Sequence, residues 1–200
     1  MKSFVTMCAV ALVAGCRTAP LAGPEEAAAH PGAITLKGAP LTLLGNVPAV
    51  GSPAPDARVV DAQYSAVRLS EFRGKPLLLS VVPSLDTSVC SLQTKRFNED
   101  LAGLPAEVVA LTISMDLPYA QKRFCEAAGI SRMRALSDVV DRDFGRHYGV
   151  LIKERGLLAR SIFVIGRNGT LRYAEIVPEL SQPPDYAKAL EAVRQAVAAP

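Results

Sequence analysis

Tryptophan is absent, histidine occurs only at His30 and His147, and no two of the four cysteines form a Cys-x-x-Cys pair. Two isolated histidines cannot build a histidine-rich metal site, and the missing Cys-x-x-Cys removes the usual signature of a disulfide oxidoreductase. No basic run occurs, and a net charge of +3 spread along the chain offers nucleic acid no footprint. The apolar stretch from Phe4 to Val13 is too short to span a bilayer. No internal repeat appears. Half of the residues are apolar and a fifth are charged, so a soluble globular core is expected, and 200 residues suit one domain plus an extension.

The N-terminus reads as a separate object. Lys2 gives a short basic start, Phe4 to Val13 is apolar, and Val13-Ala14-Gly15-Cys16 resembles a bacterial lipobox, in which cleavage precedes a cysteine that is then lipidated. The alternatives are an ordinary secretory signal or a start codon placed too early. The lipobox reading makes residues 1–15 a lipoprotein signal peptide and Cys16 the lipidation site. It predicts an exported chain, tethered by lipid in the cell envelope and facing the periplasm. Residues 16–32, with Pro20, Gly23, Pro24, Pro31, Gly32 and several alanines, read as a flexible tether. Residues 33–200 form the domain.

Within the domain, Ile34-Thr35-Leu36 and Leu41-Thr42-Leu43-Leu44 flank a Lys37-Gly38-Ala39-Pro40 turn and predict a hairpin. Val47 to Asp56, rich in proline, predicts an extended loop. Arg58–Asp61 and Ala66–Leu69 predict short strands, and Ser70 to Gly74 a helical turn. Leu77–Val82, Val108–Ile113 and Ser161–Ile165 read as buried strands, with Arg134–Leu136 a shorter one and Thr170–Val177 returning after the Arg167-Asn168-Gly169 turn. Helices are expected over Ser88–Leu101, Pro118–Ala128, Arg142–Tyr148 and Asp185–Ala198. Strand–helix–strand–helix followed by a hairpin and a helix predicts a three-layer α/β domain.

Chemistry concentrates where the Leu77–Val82 strand ends. Pro83-Ser84-Leu85-Asp86-Thr87-Ser88-Val89-Cys90 leads into the next helix and places Cys90 in its first turn. Free N–H groups and the positive end of the helix dipole favour a thiolate there over a thiol. The plain alternative is an inert buried cysteine. Thr87 reads either as a hydroxyl that meets the sulfur or as a helix N-cap. Pro83 reads as a shield over the sulfur or as a strand breaker. Arg160 reads by spacing as a solvated strand-end arginine. Cys125 reads as a partner thiol or as a core cysteine beside Phe124.

The run Pro-x-x-x-Thr-x-x-Cys resembles the active-site loop of peroxiredoxins, and the wider string from Pro83 to Asn98 resembles their thiol peroxidase branch. Ser114 to Cys125 resembles the segment that bears the resolving cysteine, and Gly156 to Arg160 the segment that supplies an arginine. The resemblance covers about residues 33–199. It implies a thioredoxin-like fold with an N-terminal β-hairpin. It implies a peroxidase of hydrogen peroxide and alkyl hydroperoxides with Cys90 as nucleophile, Thr87, Arg160 and Pro83 around it, and Cys125 as its disulfide partner. Gln93, Arg96 and Asn98 match the same string but read as a polar helix face. Met115 and Tyr119 read as packed residues or as the lining of an apolar groove.

The implied cycle runs through a Cys90 sulfenic acid and a Cys90–Cys125 disulfide, reopened by a thioredoxin-type reductant. It needs no metal, haem or flavin. An exported chain is out of reach of cytosolic thioredoxin, so the reductant would belong to the envelope. The resemblance allows a homodimer, although no interface is legible. Two rivals are a membrane-tethered thioredoxin-like metallochaperone, which would need closely spaced cysteines and a ligand histidine, and a non-catalytic lipoprotein.

Overall fold

Leu77–Val81 (β5) is buried along its whole length, and the main sheet is built outward from it. A strand covered on both faces favours apolar residues on both, which is why it appears as an apolar run interrupted within the strand by Ser80 alone. On one side it pairs in parallel with Val109–Ser114 (β6), which pairs in parallel with Arg134–Ser137 (β7). On the other side Ser161–Ile165 (β10) runs antiparallel, followed by Leu171–Ile176 (β11). Arg58–Val60 (β3) and Ala66–Arg68 (β4) form a hairpin on the far edge, giving the order β11-β10-β5-β6-β7-β3-β4. The computed structural model describes residues 28–199. The signal-peptide, Cys16 and most of the tether expectations lie outside them.

Parallel neighbours need crossover connections, and helices supply them. Ser88–Asp100 (α1) joins β5 to β6, and Pro118–Ala128 (α2) joins β6 to β7. Pro118 opens α2 and Gly129, at φ 65°, closes it in the left-handed conformation that favours glycine. Tyr186–Ala198 (α4) starts on Asp185, whose carboxylate accepts the Lys188 N–H at 3.0 Å. Phe97 and Leu101 of the α1 segment and Ala189 and Val193 of α4 cover Leu78, Ala110, Ile162 and Val164 on one face of the sheet. The opposite face, with Leu79, Leu111, Ile113 and Phe163, packs on Phe144 of Asp143–His147 (α3) and on Tyr148. These two rings stack at 4.4 Å.

A second sheet of Ala29–Leu36 (β1), Ala39–Leu44 (β2), Leu151–Ile152 (β8) and Leu157–Leu158 (β9) completes that layer. It departs from expectation in three ways. The hairpin turn is the two-residue Lys37-Gly38, with φ of 51° and 80°, so Ala39 and Pro40 belong to the strand. Positive φ at both positions gives the turn whose twist matches a tight hairpin. β1 begins at Ala29, inside the stretch read as tether, with a register irregularity between His30 and Ile34. Its first five residues are exposed, so backbone pairing forms them and no apolar alternation announces them. β8 and β9 have two residues each, too few to leave a period.

The hairpin seats on the end of α3 by close backbone contact. A Cβ on Gly45 would lie 1.9 Å from the Arg146 carbonyl oxygen, and one on Gly149 would lie 2.5 Å from the Val47 nitrogen. The layers and strand order are those of a thioredoxin-like fold carrying an added N-terminal hairpin.

Candidate active site

β5 ends at the edge of the core, and the six residues Val82 to Thr87 carry the chain into α1. Cys90 is the third residue of α1 and is fully buried, among Val82, Leu85 and Phe124. Pro83, the second residue of that loop, is buried. Thr87 occupies the N-cap position in an extended conformation, but its side chain makes no capping bond. Its Oγ1 instead lies 2.8 Å from Cys90 Sγ and 3.2 Å from the Ser84 carbonyl oxygen. One hydroxyl proton therefore has two acceptors. Given to the sulfur it supports a thiolate; given to Ser84 it frees a lone pair toward an S–H.

Arg160, immediately before β10, is 2% exposed, so the solvated strand-end reading does not hold. Burial is tolerated because each of its three guanidinium nitrogens finds an acceptor. Its Nε and Nη2 both donate to the Leu180 carbonyl, at 3.2 and 3.0 Å. Nη1 donates to Gln93 Oε1 at 2.8 Å, and Nη2 reaches Cys90 Sγ at 3.4 Å. Gln93 is held in turn by its Nε2, which donates to Ser80 Oγ at 2.8 Å. These partners are a carbonyl, an amide and a sulfur. Among the described residues no carboxylate pairs with Arg160. A buried, permanently charged guanidinium without a counter-ion is costly. An ionised sulfur at Cys90 is the counter-charge this geometry offers.

The loop before Cys90 is tied to the chain before α2 through Asp116. Its carboxylate accepts Ser84 Oγ–H at 2.7 Å, the Leu85 N–H at 2.7 Å and Ser114 Oγ–H at 2.8 Å. Its carbonyl accepts Ser137 Oγ–H at 2.6 Å. Sequence reasoning leaves Gln93 on a polar helix face and gives Asp116 no part. Gln93 had a usable signal, since it follows Cys90 by three positions and must share its helix face. Asp116 had none, because a polar loop residue carries no periodicity.

Cys125 lies on α2, half-buried, and both thiols are free. Burial and the neighbouring Glu126 carboxylate push the Cys125 thiol up, so it rests protonated. Phe124 packs on the Cys90 cluster while Cys125 lines a groove with Asp61, Gln63, Lys122 and Arg134. Met115 is buried in the core on the other face of the sheet. Tyr119 is exposed and meets Tyr64 edge-on at 5.4 Å. Arg96 pairs with Asp100 on the surface, and Asn98 accepts the Ser131 and Arg132 N–H groups. Among the described residues no group of three or more His, Cys, Asp or Glu side chains could hold a metal ion.

Thr87 and Arg160 thus converge on the Cys90 sulfur beyond the end of β5, with Gln93 bonded to Arg160, Pro83 buried in the preceding loop and Cys125 on α2. The Redoxin family profile matches residues 49–190. A thiol peroxidase of Halalkalibacterium halodurans is 50% identical over 164 residues, covering 82% of this chain and 98% of its own length. The thiol peroxidase of Bacillus subtilis is 48% identical over 164 residues with the same coverage. Among solved structures, a peroxiredoxin-like protein from Aquifex aeolicus superposes with a TM-score of 0.77 at 39% identity, covering 84% of this chain and 99% of its own. A thiol peroxidase from Chromobacterium violaceum superposes with a TM-score of 0.74 at 22% identity over 82% of this chain and 97% of its own, and speaks for the fold alone. Likeness of this depth over almost the full length of such relatives places the chain in the thiol peroxidase family of Redoxin proteins, which are peroxiredoxin-type oxidoreductases.

Proposed function

We propose that the chain reduces hydrogen peroxide and alkyl hydroperoxides at Cys90. The thiolate attacks the terminal, hydrogen-bearing oxygen of the hydroperoxide and breaks the O–O bond. That oxygen stays on sulfur as a sulfenic acid, and the departing hydroxide or alkoxide takes a proton to leave as water or alcohol. The Thr87 hydroxyl and the Arg160 guanidinium receive the two peroxide oxygens and the charge that develops on them. Pro83 keeps water from the sulfur. The observation that carries this reading is the buried Arg160 cation, which among the described residues meets no carboxylate and reaches the Cys90 sulfur at 3.4 Å.

Cys125 then condenses with the sulfenic acid. An S–S bond forms, the hydroxyl leaves sulfur, and the Cys125 proton completes a water molecule. The two thiols sit on separate helices, and a disulfide tolerates Cα separations only up to about 7 Å, so local unwinding accompanies this step. Two features favour unwinding in the first turn of α1. Its N-cap side chain caps no backbone N–H of the helix, and Thr94 Oγ1 donates back to the Cys90 carbonyl at 3.0 Å, a contact that bends and loosens helices. A thioredoxin-type dithiol reopens the bond, is itself oxidised to a disulfide, and returns both cysteines as thiols. No metal, haem or flavin takes part.

In the cell we propose export through the signal peptide at residues 1–15 and lipid attachment at Cys16, with the residues from Cys16 to the start of β1 at Ala29 as spacer and an envelope dithiol as reductant. Metabolic labelling with a radioactive fatty acid tests the anchor, which Cys16→Ser should abolish.

The enzymatic reading is tested by peroxide consumption and mass spectrometry of the product. Cys90→Ser should consume none. Cys125→Ser should consume one equivalent and then stop cycling with thioredoxin. Oxidised wild type should carry a Cys90–Cys125 link. Sustained turnover by Cys90→Ser would remove the assignment.

A further inference from the structure

The N-terminal hairpin makes no side-chain hydrogen bond to Cys90 or Arg160, yet it meets the segment that holds Arg160. That segment is Pro178–Ser181, between β11 and α4. The Thr35 N–H donates to the Pro178 carbonyl at 2.7 Å, and the Leu180 N–H donates back to the Thr35 carbonyl at 2.8 Å. The Glu179 carboxylate closes the contact. One oxygen accepts the Lys37 N–H at 2.9 Å and Ser181 Oγ–H at 2.6 Å; the other accepts Thr35 Oγ1–H at 2.8 Å and the Gly38 N–H at 3.2 Å. Positive φ at Lys37 and Gly38 turns two successive N–H groups to one side, a concavity suited to an anion. These donors hold the Glu179 carboxyl well below the usual carboxylate range, so the tie stays ionised.

Leu180 links this tie to the sulfur. Its carbonyl receives both Nε and Nη2 of Arg160. That fork fixes the plane of the guanidinium and leaves the second Nη2 hydrogen for Cys90 Sγ. A shift of the carbonyl would swing the cation off the sulfur, and misplacements of about an ångström can cost 10²-fold in rate.

We propose that Glu179 is a positioning residue of the thiol site, and that the N-terminal hairpin, through it, sets the Leu180 carbonyl that aims Arg160 at Cys90. This rests on the reading of Cys90 and Arg160 above. Glu179 touches no reacting atom and acts only through the Pro178–Ser181 backbone.

The test compares full-length Glu179→Ala and Glu179→Gln with Glu154→Ala. The Glu154 carboxylate also braces the hairpin, accepting the Thr42 N–H at 3.1 and 3.0 Å, but it does not contact Leu180. Two readouts are followed: the second-order rate of Cys90 with hydrogen peroxide, and the pH at which thiolate ultraviolet absorbance appears. Glu179→Ala should slow the reaction about tenfold or more and move the absorbance to higher pH, with Glu179→Gln intermediate because it keeps one acceptor oxygen. Glu154→Ala should lower the Tm while leaving both readouts in place. If Glu179→Ala does not fold, Thr35→Val, which deletes one donor to the carboxylate, should move both readouts the same way by less. Folded Glu179 variants with wild-type rate and titration overturn the inference, as does a Glu154→Ala that moves both readouts equally. A wild-type Cys90 that ignores peroxide overturns the site reading itself, and the inference with it.

Discussion

The Arg160 guanidinium lies 3.4 Å from the Cys90 sulfur although seventy residues of chain separate the two. The contact joins the strand-end before β10 to the first turn of α1, across the two central strands of the sheet. Among the described residues Arg160 has no carboxylate partner, and the Cys90 sulfur is one of its buried contacts.

Arg160→Lys keeps the charge and discards the fork. An ammonium cannot bond Leu180, Gln93 and the sulfur together in one plane. We expect kcat/KM for peroxide to fall about 10²- to 10³-fold, the usual cost of one electrostatic donor. The chain has no tryptophan, so the rate is followed by peroxide consumption rather than intrinsic fluorescence. A lysine variant within a factor of about three of wild type would show that charge alone suffices.

Thr87 separates catalysis from stability. Loss of an N-cap hydroxyl ordinarily costs about 1 kcal/mol. Here the hydroxyl is on the sulfur and the helix N-terminus does not use it. Thr87→Val should therefore slow the peroxide reaction by about tenfold or more while leaving the Tm close to wild type. Thr87→Ser should restore most of the rate. A variant that loses stability and keeps its rate would make Thr87 a cap after all.

Asp138 makes a pH signature separate from the thiol site. It is buried behind β7, its carboxylate accepting the Phe144 and Gly145 N–H groups at 3.0 and 2.8 Å. Burial outweighs those bonds and raises it to about 6. The folded state then holds a proton that the unfolded chain has released, so stability attributable to this group falls as pH rises from about 4 to 6, at about 1.4 kcal/mol per pH unit, and is flat above. Asp138→Asn lacks the slope. The unfolding free energy of wild type minus that of Asp138→Asn, measured by urea denaturation across this range, should fall with rising pH and then level off. A constant difference would refute the assignment.

Gly45 reports on the seating of the hairpin. An added Cβ would collide with the Arg146 backbone, and φ is 92°. Gly45→Ala should destabilise by about 2–4 kcal/mol. Gly38→Ala, at φ 80° with open space around it, should cost only about 1 kcal/mol of backbone strain. Chemical denaturation of the two variants measures the contrast; equal losses would mean that the contact relaxes.

What the sequence determined is what short stretches of chain can encode. An apolar run specifies β5, a proline start and glycine stop bound α2, and the spacing of Pro83, Thr87 and Cys90 within one loop puts them at one helix N-terminus. The strings around Cys125 and Arg160 carried a family resemblance, but spacing alone read Arg160 as solvated. Gln93 was within reach through its helical offset from Cys90. Tertiary structure decided the rest, because polar residues in loops have no period and their partners lie far along the chain. Only the folded sheet brings Arg160 under Cys90, sets Asp116 between the two cysteine-bearing segments, and closes the Lys37-Gly38 turn on Glu179. Backbone pairing without apolar alternation hid the start of β1 at Ala29, and strands of two residues hid β8 and β9.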